Sequence, residues 1–121
     1  MKISLPSPGS TDAVSALLYA RSAHEDPALP KNNVNGQLKE LRMFVEAHGW
    51  VNQGEYADPG ISGLRDDRPG LNGLLEMCRN NQVHVVVVTE LSRLAREMSL
   101  TMSILKRLEV AGIRVVATKT E

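Results

Sequence analysis

The spacing of apolar positions changes several times along the chain, and each change marks an element. Residues Val14–Arg21 (VSALLYAR) form a short apolar run closed by a charge, which predicts a buried strand. After a polar stretch with two prolines, Val34, Leu38, Leu41 and Val45 recur at gaps of four, three and four. Gly49 then stands where a helix C-terminus favours glycine, so a helix is predicted there. Trp50–Asp58 (WVNQGEYAD) reads as a weaker strand interrupted by Gly54. Pro69 suits a first helical position, and Leu71, Leu74, Leu75 and Cys78 give the apolar stripe of a second helix. Val83–Thr89 (VHVVVVT) is the clearest strand, and its consecutive valines leave no face for solvent. Such a run predicts a central parallel strand covered on both sides. Leu91, Leu94, Met98, Met102, Leu105 and Leu108 predict a third helix closed by Gly112, and Ile113–Thr118 (IRVVAT) a fourth strand.

Strands alternating with helices imply right-handed crossovers, hence an α/β fold with a mostly parallel four-stranded sheet and helices on both faces. Residues 14–121 are expected to form one domain, and residues 1–13, rich in Ser, Pro and Gly, a flexible leader. Aromatic residues are sparse, so the core must be aliphatic. Met43, Met77, Met98 and Met102 read as helix packing, Cys78 as a buried small hydrophobe, and His48 as a partner of a helix C-terminus.

Charge narrows the function classes. With 14 basic and 14 acidic residues the formal net charge is zero, so bulk electrostatics give no support for nonspecific nucleic-acid binding. A DNA contact would rest on locally placed arginines or on another domain. The single cysteine, Cys78, excludes an internal disulfide and a cysteine-cluster metal site, and suits a reducing cytoplasm. His24, His48 and His84 show no metal-ligand spacing. No apolar run reaches the roughly 18 residues of a membrane helix, so no membrane partner is expected.

In parallel α/β sheets, chemistry gathers at the carboxyl ends of the strands. Three predicted strand ends there deliver arginines: Arg21, Arg68, and the pair Arg93 and Arg96. On a helix, Arg93 and Arg96 lie within about 60° of each other and away from the apolar stripe. Guanidinium groups grip phosphate oxygens bidentately, and a helix N-terminus adds further N–H donors. Ser62, in the following loop, is a candidate contact to the same anion. The plainer alternative is that these arginines pair with carboxylates such as Glu90 and Glu97, and that Ser62-Gly63 is a turn.

Tyr19-Ala20-Arg21, Gln37–Trp50 (QLKELRMFVEAHGW), Asp58–Gly63 (DPGISG), Arg68–Leu75 (RPGLNGLL) and Glu90–Arg96 (ELSRLAR) together resemble the resolvase/invertase catalytic domain of serine recombinases. The resemblance covers nearly everything from Leu17 to Lys119, in order. It implies a resolvase-like three-layer sandwich. It also implies DNA cleavage by a serine hydroxyl through a 5′-phosphoserine link, followed by strand exchange and religation, with no metal and no cofactor. Arg21, Arg68, Arg93 and Arg96 would bind the scissile phosphate and stabilise its transition state.

Two residues depart from the family pattern. The nucleophilic serine is expected two positions after the first arginine, where this chain has Ala23. Ser22 is one residue earlier, and neighbouring strand residues face opposite sides. It would replace the nucleophile only if the strand has ended or bulges there; otherwise it is a surface-loop serine. Ser92 stands where many relatives carry aspartate. Relatives also continue into a long dimerisation helix and a DNA-binding domain. The resemblance therefore implies DNA as partner, held mainly elsewhere, and a homodimer or tetramer in the whole protein. Two other readings stand beside it: a non-catalytic relative that dimerises and holds DNA, and a flavodoxin-like phosphate-binding domain. Against the last, neither GxxxxGK[ST] nor GxGxxG occurs.

Overall fold

The computed structural model describes residues 13–60, 68–80, 82–95 and 98–119. Four strands, β1 (Ser15–Ser22), β2 (Val51–Pro59), β3 (Val85–Val88) and β4 (Arg114–Ala117), alternate with three helices, α1 (Val34–Ala47), α2 (Pro69–Asn80) and α3 (Met98–Val110). All neighbouring strands pair in parallel, in the order β2-β1-β3-β4. The chain therefore reverses its direction of travel across the sheet between β1 and β3. That crevice is where a parallel sheet admits ligands.

Strand alternation sorts the core into two layers. Leu17, Tyr19, Val86 and Val88 face α2 and α3, together with Leu71, Leu74, Ile104 and Leu108. Ala16, Leu18, Ala20, Val85 and Val87 face α1, through Val34, Leu38, Leu41 and Val45. The four valines of β3 are fully buried because both faces are covered, as their unbroken apolar run demands. Each buried Val or Leu contributes about 1.5–3 kcal/mol relative to exposure. Among the described residues no helix is long and apolar enough to cross a membrane.

Local signals set several boundaries. Gly49 has φ 69° just past α1, and His48 Nδ1 lies 2.8 Å from the Phe44 carbonyl, so the helix end carries the partner expected of it. Gly54 coincides with a register shift, since Ala16 pairs with Asn52 but Leu17 with Gly54. Gln53 is the extra residue of that bulge, and β2 continues to Pro59 rather than breaking.

The third helix differs from its expectation. Leu91–Arg93 is a separate 3-10 turn, and α3 starts at Met98. Its buried side is Thr101, Ile104 and Leu108, whereas Met102 is 57% exposed. Leu94 is buried, but from the turn and not from α3. Met43, expected as packing, is 63% exposed; Met77 packs against the core and Cys78 is buried, as read from the sequence.

Candidate functional site

Arg21, Arg68 and Arg93 meet at the carboxyl ends of β1 and β3. Arg21 is the penultimate residue of β1, Arg68 immediately precedes α2, and Arg93 closes the 3-10 turn after β3. Arg21 and Arg68 are only 3% and 1% exposed. Their guanidinium groups converge on three successive carbonyls, Ser92 to Leu94, and share that of Arg93. Arg21 Nε donates to Arg93 O at 3.0 Å and its Nη2 to Ser92 O at 2.7 Å. Arg68 Nη2 donates to Arg93 O at 2.9 Å, and its Nη1 to Leu94 O. Arg93 returns the contact, its Nη1 donating to Arg21 O at 3.1 Å. These bonds replace the helical arrangement expected for residues 91–95, because side-chain donors engage the carbonyls of the turn.

Arg93 also faces Glu90 at 3.8 Å, and Glu90 lies 3.6 Å from Lys119, so the carboxylate pairing weighed against a ligand role is present in part. Not every donor is used. The Nε–H groups of Arg68 and Arg93 are buried and have no acceptor among the described residues. An unpaired buried donor costs about 1–3 kcal/mol, more when charged, and such groups are rare unless a ligand or water takes them. Arg96 and Ser62 lie outside the described residues.

Two residues that carry no obvious chemistry in the sequence join this cluster. Asp58, 1% exposed, accepts from the backbone N–H groups of Gly70 at 2.7 Å and Leu71 at 2.9 Å. Arg68 occupies the position before α2 and has no oxygen with which to cap it, so Asp58 does so from the end of β2. Gly70 permits that approach: a Cβ there would sit 2.5 Å from the Ala57 carbonyl oxygen. Asp58 also accepts from Tyr19 Oη at 2.6 Å, and Arg68 Nη2 donates to that same hydroxyl at 2.7 Å. Burial, reinforced by the Asp58 hydrogen bond, pushes the Tyr19 phenol well above its ordinary pKa, so it keeps its proton. Both residues open motifs that carry the family resemblance, Tyr19-Ala20-Arg21 and Asp58–Gly63, but no pattern in the sequence gives either one a role.

Ser22 lies on the other side of the sheet. It belongs to β1, paired with Pro59, and the bulge of this sheet falls at Ala16/Leu17 instead. Its hydroxyl donates to Glu25 and accepts from Gly60 N at 3.4 Å, while Glu25 accepts from Val34 N at 3.1 Å. Beside it Gln37, 1% exposed, accepts from Arg21 N at 3.3 Å and donates to Arg21 O at 2.9 Å and Asn32 O at 2.8 Å. Ala23 is exposed just past the strand, and Ser92 is exposed with its hydroxyl 3.4 Å from Glu90.

Comparison with known proteins gives this geometry a family. A family model described as "Resolvase, N terminal domain" matches residues 16–121. The N-terminal catalytic domain of TP901-1 integrase superposes with TM-score 0.79 at 25% identity, over 86% of this chain and 77% of that one. A serine recombinase from Sulfolobus solfataricus gives TM-score 0.70 at 28% identity, over 89% and 70%. A resolvase family site-specific recombinase from Streptococcus pneumoniae, at 24% identity, shares the fold with TM-score 0.72 over 87% and 72%. A comparison with curated proteins finds no match. With its all-parallel sheet and a family match over nearly its whole length, this chain belongs to the resolvase N-terminal domain family, the catalytic domain of serine recombinases, which act on DNA and oligomerise.

Proposed function

We propose that this domain binds a DNA phosphodiester through Arg21, Arg68 and Arg93, with Arg96 and Ser62 completing the contact, and that Ala23 leaves it without the hydroxyl that would cut the strand. The observation that carries the reading is the pair of buried, unpartnered Nε–H groups on Arg68 and Arg93. Phosphate oxygens suit those donors, and they compete for the guanidinium edges that now rest on the carbonyls of residues 92–94. Were a hydroxyl in place, the same arginines would stabilise charge on the pentacoordinate phosphorus. Ser22 is a poor substitute, since it is 2% exposed and committed to Glu25. The zero net charge fits a reading in which most DNA affinity is held outside this domain. On that reading the whole protein acts as a homodimer or tetramer in the cytoplasm.

The chain, tethered to a sequence-specific DNA-binding domain and mixed with its duplex site, tests this on a denaturing gel. We expect no covalent protein–DNA species from the chain as it stands and an adduct from Ala23→Ser. An adduct from the unmodified chain that disappears in Ser22→Ala would overturn the assignment of Ala23.

A further inference from the structure

We infer that Tyr19 is a positioning residue for Arg68, a rigid link that fixes the arginine relative to the Asp58-capped start of α2. The inference rests on the phosphate-site reading above. A carboxylate accepts only and a guanidinium donates only. The Tyr19 hydroxyl sits between one of each, 2.6 Å from Asp58 Oδ2 and 2.7 Å from Arg68 Nη2. Its single proton therefore goes to Asp58, leaving a lone pair aimed at Arg68. The direction of the chain is fixed, with no alternative hydroxyl rotamer that satisfies both neighbours.

The packing around this link is equally constrained. Tyr19 is fully buried, and its ring centroid lies 5.6 Å from the Arg68 guanidinium carbon, so ring and hydroxyl both touch the cation. Asp58 is held in turn by two backbone N–H groups of α2. Arg68 thus has two kinds of anchor. The carbonyls of Arg93 and Leu94 belong to the turn after β3, whereas Tyr19 belongs to the sheet. If a phosphate takes the place of the turn carbonyls, the Tyr19 contact still holds the guanidinium in the sheet's frame. Tyr19 acts through Arg68 and needs no contact with DNA.

Tyr19→Phe keeps the ring and removes the link. The test is the rate of rotation about the Arg68 Nε–Cζ bond, measured by side-chain NMR on the whole chain without ligand, with Arg93 as internal reference. Losing one hydrogen bond should speed Arg68 roughly fivefold and leave Arg93 unchanged. Titration with dimethyl phosphate should then show affinity weakened roughly threefold in Tyr19→Phe. An unchanged Arg68 rate, or equal acceleration of Arg68 and Arg93, would overturn the positioning role. Should Tyr19→Phe fold poorly, 3,5-difluorotyrosine at position 19, which keeps the ring and the Asp58 contact and weakens the hydroxyl oxygen as the acceptor of the Arg68 bond, is read in the same way. If dimethyl phosphate leaves the unmodified chain's arginine signals unmoved, the phosphate reading falls, while the rotation rates in the free protein still decide the role of Tyr19.

Discussion

At the carboxyl edge of the sheet, the two faces solve the same burial problem differently. On the α1 face, Ser22 and Gln37 are buried with their side-chain polar atoms engaged: Gln37 spans both backbone groups of Arg21, and Ser22 locks Glu25, which caps α1. On the α2/α3 face, Arg21, Arg68 and Arg93 crowd onto one turn, and two of their Nε–H groups are left without acceptors. Buried polar groups that are fully paired make a scaffold. Buried cations with donors to spare are what the proposed phosphate site requires. The two faces share β1, where Arg21 and Ser22 are adjacent, so one residue of register separates the scaffold from the proposed site.

Asp58→Ala should break this arrangement most severely. It removes the cap of α2 and leaves the buried Tyr19 hydroxyl facing an emptied acceptor site. We expect a loss of about 3 kcal/mol, read from the denaturant midpoint. Gln37→Ala tests the scaffold face. It strands the backbone of Arg21 and the carbonyl of Asn32, which should cost about 2 kcal/mol. If the faces are distinct in function, arginine response to phosphate survives wherever Gln37→Ala remains folded. Ser22→Ala should cost only about 1 kcal/mol and leave that response intact; loss of the response would move Ser22 into the site.

The smallest effect belongs to neither face. Arg42 grips Glu55 through two hydrogen bonds of 2.7 and 2.6 Å on the exposed side of α1 and β2, and holds the Glu55 carboxyl below its usual range. A depressed carboxylate stabilises the fold above its unfolded pKa and loses that contribution as pH falls through the folded value. Arg42→Ala should therefore lower the melting temperature by no more than about 1 °C at neutral pH, and the difference should vanish once Glu55 is protonated.

Most of the fold was legible from period alone, because the β3 valines and the stripes of α1 and α2 each have one physical solution. The exception, α3, shows what period misses. Leu91 and Leu94 continue a helical spacing, yet the carbonyls of Ser92 and Leu94 are engaged by Arg21 and Arg68, 71 and 26 positions away, a competition about which local spacing carries no information. The arginines themselves were legible, since each ends or follows a predicted strand. Tyr19 and Asp58 were not, because their roles arise from contacts to Arg68 and to each other across the sheet edge.

Whether the arginine cluster takes a phosphate is read by titrating the chain with dimethyl phosphate, following the arginine Nε–H signals and the Gln37 side-chain amide together. The Arg68 and Arg93 signals should shift along one saturating curve while the Gln37 amide stays in place. Arginine signals that do not move, or a Gln37 amide that moves in step with them, would contradict it.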